Sequence, residues 1–435
     1  MHRERWPRAA IVATRGTVDV TFPPSRGAMT AIAETTEAVA GDRLARRNAL
    51  VLAVAQGLAG GNNIVIVSTA GIIAGVFAGD KGLATVPAST LIAGMWAGTL
   101  PVGYLAKRYG RRTAYVVGAG FGALAGLTLA LAAYLGSFAL LCVGAGFGGF
   151  YAAAHQSYRF AAADTASDAF KPRAISWVLA GGVFAGLFGS QLVIATKDIW
   201  PQYLFAASYL TQAAVAIVAA GVLSLLRAPR QVSTHAPIGE GRPLAVLFRQ
   251  PRLIVAVLCG VASYSMMNLI MTSAPIAMID CNHTITDATL GLQWHVMAMY
   301  GPSFFTGALM TRIGIDRVVW SGLAIMAVAM MVAISGITVW HFWVALALLG
   351  TGWNFAFIGA TAMVTQCHHP NERNKVQAVN DFLVFGAMAI GSFSSGQILA
   401  NFGWTAVNEV GLPIVITAGA LLVWVTLTQR RRVAA

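Results

Sequence analysis

Charged residues are scarce in this 435-residue sequence, and their scarcity excludes several classes of protein. Only 10% of the residues are charged and 57% are hydrophobic, whereas a typical soluble domain has roughly 25% charged and roughly 45–50% apolar residues. These proportions argue against a soluble enzyme, a disordered chain and a coiled coil. Because a helix needs about 20 mostly apolar residues to cross a membrane, the long apolar runs predict an all-α polytopic membrane protein.

Motifs for catalysis, for nucleotide-driven transport and for disulfide formation are also missing. The chain has no Walker A sequence, no HExxH or CxxC pair and no nucleophile elbow, so neither an enzyme nor a cofactor is predicted. Of the four cysteines, only Cys281 falls in a predicted outer loop, which leaves it without an intramolecular disulfide partner there.

Twelve apolar stretches predict twelve transmembrane helices in two bundles of six. They run over 49–76, 84–106, 113–135, 138–158, 174–195, 203–226, 253–276, 290–310, 317–338, 341–364, 378–400 and 404–428. The N-terminal bundle is predicted over 47–226 and the C-terminal bundle over 253–428, with a proline-containing cytoplasmic linker at 227–252.

Residues 1–46 and 429–435 are predicted to be cytoplasmic tails. The first tail lacks the apolar core of a cleavable signal peptide, so the first span is the expected targeting element. Residues 1–28 are either part of a disordered tail or an over-extended start upstream of Met29, and both interpretations stay open.

Basic residues are concentrated on one predicted side of the membrane. The sequence has 29 Lys and Arg against 16 Asp and Glu. If the N-terminus is cytoplasmic, every Lys and Arg except Lys81 and Lys197 falls in a tail or loop on the cytoplasmic side. This asymmetry follows the positive-inside rule, so both termini are predicted to be cytoplasmic and nucleic-acid binding is not predicted.

The two halves share a short pattern at a constant spacing of 204 residues. The pattern G-x-L-x-x-R-x-G begins at Gly103 and again at Gly307. A second loop matches at the same spacing, where Asp168 corresponds to Glu372. Polar matches in equivalent loops indicate two six-helix halves in parallel repeat, an arrangement found in one class of secondary transporter.

The stretch GYLAKRYGRR at 103–112 resembles the signature loop between the second and third helices of the major facilitator superfamily. The resemblance covers about residues 47–430 and implies a two-bundle secondary transporter that works by alternating access. Lys107 departs from the family pattern, which has Asp here in a latch between the halves. The residues assigned to gating are Gly103, Arg108, Gly110, Arg111, Arg112, Arg312 and Asp381. A purely topogenic role is an equal alternative for the arginines.

The resemblance implies a central cavity lined by the first, fourth, seventh and tenth helices. Each of these predicted spans carries polar or aromatic side chains near mid-depth, where polar groups are costly unless they are paired or face water. The candidate substrate-binding residues are Gln56, Asn62, Asn63, Tyr151, His155, Gln156, Tyr264, Asn268, Trp353 and Asn354. The alternative for each amide is a hydrogen bond that joins two helices.

The predicted cavity has no Lys, Arg, Asp or Glu at mid-depth, which favours a neutral, flat, polar cargo. His155 is the preferred proton-coupling candidate because an unperturbed histidine titrates near pH ~6.5. His295, Asp381 and Glu409 are the other candidates, and transport without coupling is a further alternative. The ligand types in Cys367-His368-His369 with Glu372 suit a metal, yet they fall in a short turn, so no metal site is predicted.

A narrower resemblance lies in YRFAAADTAS at 158–167 and FKPRAIS at 170–176. These stretches are similar to a proteobacterial branch of the superfamily that includes bacterial riboflavin transporters. The resemblance implies a monomeric importer of riboflavin or a similar neutral heteroaromatic solute, embedded in the lipid bilayer of a bacterial inner membrane. The alternatives are a multidrug or metabolite exporter coupled to protons, and a non-transporting sensor or assembly factor on the same scaffold.

Overall fold

The protein is described by a computed structural model in which helices account for almost all of the regular structure. The described residues are 26–164, 166–167, 170–227, 241–369 and 372–434. Residues 1–25 of the predicted tail, 228–240 of the predicted linker and the repeat position Asp168 lie outside them.

The described residues of the N-terminal half form seven α-helices and one 3₁₀ turn. They are α1 (Arg26–Phe77), the 3₁₀ turn (Lys81–Leu83), α2 (Val86–Tyr109), α3 (Arg111–Leu135), α4 (Phe138–Gln156), α5 (Tyr158–Asp164), α6 (Lys171–Thr196) and α7 (Ala206–Ser224). Helix α1 begins well before residue 49, within the segment predicted as a tail, because residues 26–48 are rich in the helix formers Ala, Glu and Arg.

The described part of the C-terminal half follows the short helix α8 (Leu244–Leu247), which lies in the predicted linker. Its helices are α9 (Pro251–Asp280), α10 (Ile285–Tyr300), α11 (Ser303–Ile313), α12 (Ile315–Ser335), α13 (Val339–Thr365) and α14 (Arg373–Ala434).

Two predicted boundaries differ from the structure because of glycine and proline. The predicted span 290–310 is two helices, α10 and α11, separated at Gly301-Pro302, where proline lacks the N–H that continues a helix. The predicted spans 378–400 and 404–428 lie in α14, which is interrupted where Gly403 adopts a φ of 81°.

Nine helices in the described ranges are long and apolar enough to cross a membrane. Helix α2 is not among them because Pro, Ser, Thr and Gly lower its mean hydropathy. Helices α10 and α11 are individually short, with 16 and 11 residues. The coarse expectation of an all-helical, polytopic membrane protein is therefore confirmed.

The repeated pattern produces the same backbone conformation in both halves. Gly110 joins α2 to α3 with φ 90° and ψ 158°, and Gly314 joins α11 to α12 with φ 93° and ψ 150°. Each glycine N–H caps the preceding helix by donating to the carbonyl of Ala106 or Met310. Glycine is required at both turns, since this region of φ and ψ is essentially closed to other residues.

Each half has its own large apolar core. One cluster of buried residues fills the N-terminal half and a second fills the C-terminal half. Small residues bring the helix backbones close together, as at Gly189, which faces Gly61 of α1, and at Gly126, which faces Ala213 of α7. The seam between the two bundles therefore lies between two packed bodies, and the candidate site is found there.

The seam is closed differently at its two ends. We call the end with the Gly110 and Gly314 turns the basic end, and the end with the 3₁₀ turn the opposite end. At the opposite end, Ser89 donates to Ser392 over 3.1 Å, and the Gln397 amide donates to the Gly82 carbonyl over 3.0 Å. Gln191 also donates to Gln293 over 2.9 Å.

Towards the basic end, an aromatic pair joins the two halves across the seam. The rings of Trp96 on α2 and Phe382 on α14 lie 5.8 Å apart. The hydroxyl of Tyr264 on α9 lies beside the side chain of Gln156 on α4. Within the C-terminal half, Tyr264 also contacts Phe385, with 6.1 Å between ring centroids. The cavity lies between these contacts and the polar pairs at the opposite end.

Candidate functional site

A central cavity lies in the seam and is lined by both halves. The space between the atoms that line it is about 890 Å³, a value that includes open solvent at its mouth. Helices α1, α2, α4 and α6 form one side, and α9, α10 and α14 form the other. None of the 24 described lining residues is Asp, Glu, Lys or Arg.

Six of the ten candidate substrate-binding residues line this cavity. They are Gln56, Asn63, His155, Gln156, Tyr264 and Asn268. The first, fourth and seventh predicted spans, now α1, α4 and α9, therefore face the cavity as the resemblance implied. Helix α13, the tenth predicted span, contributes no lining residue among those described, and α2, α6, α10 and α14 contribute in its place.

The N-terminal side carries a histidine–amide pair. Gln56 Nε2 lies 3.4 Å from His155 Nδ1, so α1 and α4 are joined across the edge of the cavity. Both side chains are more than nine-tenths buried. In the part of the chain that is described, His155 Nε2 and Asn63 Oδ1 are buried without a hydrogen-bond partner. Two buried polar atoms are thus left to bond to a solute or to water.

The C-terminal side carries Tyr264 inside an aromatic cluster. Its ring meets Trp353 edge-on at 5.3 Å and Phe357 edge-on at 4.7 Å, and Trp353 stacks on Phe357 at 5.2 Å. One turn along α9, Asn268 Nδ2 donates to the Met388 carbonyl over 3.4 Å. The Tyr264 ring is therefore packed against other aromatic rings, and its hydroxyl lies beside Gln156 across the seam.

Asn354 lies outside the cavity lining and joins three helical segments. Its Nδ2 donates to the Met299 carbonyl over 2.7 Å and to Ser303 Oγ over 2.6 Å, and its Oδ1 accepts from Thr306 over 2.6 Å. Every hydrogen-bonding atom of the Asn354 side chain is engaged, and the residue has no exposed surface. This arrangement fits the alternative considered for each amide, a hydrogen bond that joins two helices.

Tyr151, Asn62 and Trp353 also lie outside the lining. Tyr151 is 2% exposed and faces Gly122 of α3. Asn62 is 3% exposed, and neither polar atom of its amide has a partner among the described residues. Trp353 packs against the ring of Tyr264, and this contact connects it to the site.

The residues assigned to gating cluster at the basic end. Arg108, Arg112 and Arg312 are exposed, and a Cβ added at Gly103 would meet open space in the described structure. Arg111 Nη1 donates to Tyr115 within the N-terminal half, over 3.1 Å.

Asp381 is exposed at the start of α14, where Asn380 donates to its carboxylate over 3.1 Å. A cation from the other half, Arg159 on α5, is close enough for its charge to stabilise that carboxylate. Arg159 belongs to the segment after α4, not to the signature loop.

The remaining candidates lie apart from the cavity. His295 is fully buried, and its Nδ1 lies 2.8 Å from the Leu346 carbonyl between α10 and α13. Glu409 is exposed. In the turn before α14, Cys367 Sγ donates to the Met363 carbonyl over 3.3 Å, and Glu372 forms an ion pair with Arg242.

The ion pair of Glu372 attaches the end of the linker to the C-terminal half. The Glu372 carboxylate is 1% exposed and accepts from Arg242 Nε, Arg242 Nη2 and the Arg242 backbone, each over 2.8 Å. Bonding to the Arg242 guanidinium holds the pKa of Glu372 well below its usual range. Lys375 completes the contact by donating to the Gly241 and Arg242 carbonyls.

Several lining residues were missed from the sequence. Of the 18 described lining residues that were not predicted, five are methionines and one is a tyrosine, namely Met95, Met267, Met271, Met299, Met388 and Tyr300. An apolar residue within an apolar span looks the same as its neighbours, so the sequence contains no indication that most of these residues line a cavity. The exception is α9, where Met267 and Met271 share with Tyr264 and Asn268 a face of period i, i+3, i+4, i+7.

A two-bundle membrane protein with a central, uncharged cavity has the architecture of a secondary transporter. The sequence matches the model of the Major Facilitator Superfamily over residues 52–302 and 297–435. The chain therefore belongs to the major facilitator superfamily. It is a multi-pass transporter of a bacterial inner membrane and not an enzyme.

Similar proteins include the riboflavin transporter RfnT of Brucella anthropi, 46% identical over 372 residues, which are 85% of this chain and 94% of that protein. An uncharacterised MFS-type transporter of Bacillus subtilis, YdeG, is 27% identical over 88% of this chain and 92% of its own length. Among solved structures, the nucleoside transporter NupG has a similar fold, with a TM-score of 0.66 at 14% identity, covering 87% of this chain and 99% of that chain.

Proposed function

We propose that this transporter imports riboflavin. The observation that carries the proposal is the 46% identity to a riboflavin transporter along 94% of that protein. The cavity supports it, because its described lining has aromatic rings, amides and a histidine but no formally charged residue, which suits a neutral, flat, polar solute. A phosphorylated flavin or a cationic drug would lack a counter-charge in this cavity.

Transport by alternating access requires the two ends of the seam to open in turn. The pairs Ser89–Ser392 and Gln191–Gln293 would separate when the cavity opens to the outside. The rings of Trp96 and Phe382 would separate when it opens to the cytoplasm, and so would the neighbouring side chains of Tyr264 and Gln156. We assign the basic end to the cytoplasm because Arg108, Arg112 and Arg312 lie exposed there.

We further propose twelve spans with both termini in the cytoplasm. The nine apolar helices become twelve when α2 is added, α10 and α11 are counted as one broken span, and α14 is divided at Gly403. Reporter fusions at Gly136 and at Gly314 test this topology. A periplasmic signal is expected for Gly136 and a cytoplasmic one for Gly314, and the reverse pair would contradict it.

His155 is the residue that we assign to proton coupling, because it lies in the cavity and bonds to Gln56 of another helix. We also infer that one chain is the working unit, since a single copy encloses the cavity on both sides. The partners required by this account are the lipid bilayer and the small-molecule cargo.

The proposed function is tested by uptake of labelled riboflavin into a flavin auxotroph that expresses the protein. We expect growth rescue and saturable uptake, and collapse of accumulation by a proton ionophore if His155 couples transport to protons. Well-expressed protein that gives neither rescue nor uptake contradicts import. Lower drug sensitivity of the same strain without flavin rescue would indicate the exporter alternative instead.

A further inference from the structure

The cavity has two walls of different chemistry, each supplied by one half. The amide wall, from the N-terminal half, contains Gln56, Asn63, His155 and Gln156. The thioether wall, from the C-terminal half, contains Met267, Met271, Met299 and Met388. Among the described lining residues, the N-terminal half supplies a single methionine, Met95, although both halves supply similar numbers of helices.

Unused hydrogen-bonding capacity is concentrated on the amide wall. His155 Nε2 and Asn63 Oδ1 are both buried without a partner in the described structure. Leaving such atoms unpaired costs free energy, so the site favours a solute with complementary donors and acceptors at this position. A neutral imidazole nitrogen can donate or accept, whereas an amide oxygen only accepts. The amide wall therefore suits an edge that offers both a donor and acceptors.

The thioether wall differs in its polar atoms: no polar atom of a described lining residue from the C-terminal half is buried without a hydrogen-bond partner. Asn268 Nδ2, for example, donates to the Met388 carbonyl. Four of the ten described lining residues from this half are methionines, and Met267 and Met388 are each 2% exposed. Met267 and Met271 are four residues apart on α9 and so occupy neighbouring positions on one face.

Thioether side chains suit the apolar part of an aromatic ligand. Methionine is flexible and polarisable, fills irregular gaps and makes favourable sulfur contacts with aromatic rings. A methionine side chain makes dispersion contacts with a planar ring and does not compete for the hydrogen bonds of that ring. A flat heteroaromatic compound with one polar edge and one alkylated edge can satisfy both walls in one orientation only.

We propose that the two walls fix the orientation of the cargo ring, with the donor–acceptor edge on the amide wall and the alkylated benzenoid edge on the thioether wall. The inference rests on the proposed function, because the isoalloxazine ring of riboflavin has such edges. Its pyrimidine-like end carries two carbonyls and the N3–H, and its opposite end carries two methyl groups. Asn63 Oδ1 then accepts from N3–H, and Met271 contacts the methyl-bearing end.

The orientation is tested by competition against uptake of labelled riboflavin. One competitor is methylated at N3, which removes the donor, and the other lacks both ring methyl groups. Against the wild-type protein, the N3-methyl compound is expected to compete about tenfold less well than riboflavin, as for loss of a buried hydrogen bond. The compound without methyl groups is also expected to compete about tenfold less well, because it loses the burial of two methyl groups.

Two variants then assign each penalty to one wall. In Asn63→Leu, the N3-methyl compound should compete almost as well as riboflavin, while the compound without methyl groups should keep its penalty of about tenfold. In Met271→Ala, the compound without methyl groups should lose its penalty and the N3-methyl compound should keep it. Met297→Ala is the matched control, since Met297 is half-buried in the C-terminal half and is not a lining residue. Both penalties should keep their wild-type values in this variant.

The outcomes separate this inference from the proposed function. The orientation is overturned if Asn63→Leu abolishes the demethylation penalty and Met271→Ala the N3-methylation penalty, or if neither variant changes either penalty. In both cases riboflavin transport itself still stands. Absence of riboflavin uptake by well-expressed wild-type protein removes the proposed function itself. If Met271→Ala is poorly expressed, Met271→Gln carries the same prediction, because it keeps the side-chain length and replaces the thioether with an amide.

Discussion

The two halves of the protein are alike in their turns and different in the walls that they present to the cavity. Gly110 and Gly314 have nearly the same φ and ψ and cap their helices in the same way. Within the cavity, the N-terminal half offers a histidine and amides, and the C-terminal half offers thioethers and a tyrosine held by aromatic rings. The repeat thus preserves the backbone on which the bundles are built, while the side chains that meet the cargo have diverged.

The largest effect is expected from breaking the amide wall. Gln56→Leu removes the bond to His155 and leaves buried polar atoms unpaired, so the efficiency of riboflavin uptake should fall about tenfold to a hundredfold. Gln212→Leu is the control, because Gln212 is also buried in the N-terminal half and does not line the cavity. Equal losses in the two variants would show that the amide wall has no special role.

The likeness of the two turns is tested by Gly110→Ala and Gly314→Ala. Both turns require backbone conformations that are almost restricted to glycine, so each substitution should lower the free energy of unfolding by about 1–3 kcal/mol. Thermal unfolding of the purified variants should give two similar decreases. A loss at only one position would contradict the structural equivalence of the loops.

A smaller effect is expected on the C-terminal side from Tyr264→Phe. This variant keeps the aromatic cluster and removes only the hydroxyl, which lies beside Gln156 at the cavity, so it should raise KM for riboflavin about fivefold. Tyr209→Phe serves as the control, because the Tyr209 hydroxyl accepts a hydrogen bond from Thr69 over 2.9 Å and Tyr209 does not line the cavity. An unchanged KM in Tyr264→Phe would remove the Tyr264 hydroxyl from the account of cargo binding.

The smallest effect on transport is expected at the linker contact of the C-terminal half. Glu372→Gln should lower the Tm by a few degrees and leave KM unchanged, since the Arg242 contact lies outside the cavity. Asp198→Asn, whose carboxylate is 78% exposed, should leave the Tm unchanged. A shift in KM with Glu372→Gln would indicate that the linker influences the cavity.

The same contact predicts a pH dependence of stability. Arg242 lowers the pKa of Glu372 in the folded protein, so the stabilisation is present above the ordinary glutamate pKa of about 4.3. It is lost as the pH falls below that value towards the folded-state pKa. The Tm difference between wild type and Glu372→Gln should therefore be constant near neutral pH and should shrink in acid.

The sequence predicts the helical membrane fold well, because long apolar runs and the asymmetry of basic residues are properties of whole segments. It does not predict that α1 starts at Arg26 or that α10 ends before Pro302, since these ends depend on local helix propensity and proline. The loop that contains Gly110 can be recognised from the sequence through its resemblance to the family signature.

The candidate site was predictable in part. Depth along a helix can be read from the sequence, but the direction in which a side chain faces depends on how the helices pack. Gln56 and Asn354 occupy similar depths, yet one lines the cavity and the other joins helices. The methionines of the thioether wall were missed because, in an apolar span, they look the same as core residues.

The central claim, that the cavity between the two halves binds and moves riboflavin, is tested most directly with purified protein in liposomes. Labelled riboflavin should enter vesicles containing wild-type protein or Gln212→Leu with saturable kinetics, and entry should fall about tenfold or more with Gln56→Leu. Entry that is equally fast in protein-free vesicles, or that is unaffected by Gln56→Leu, would contradict the claim.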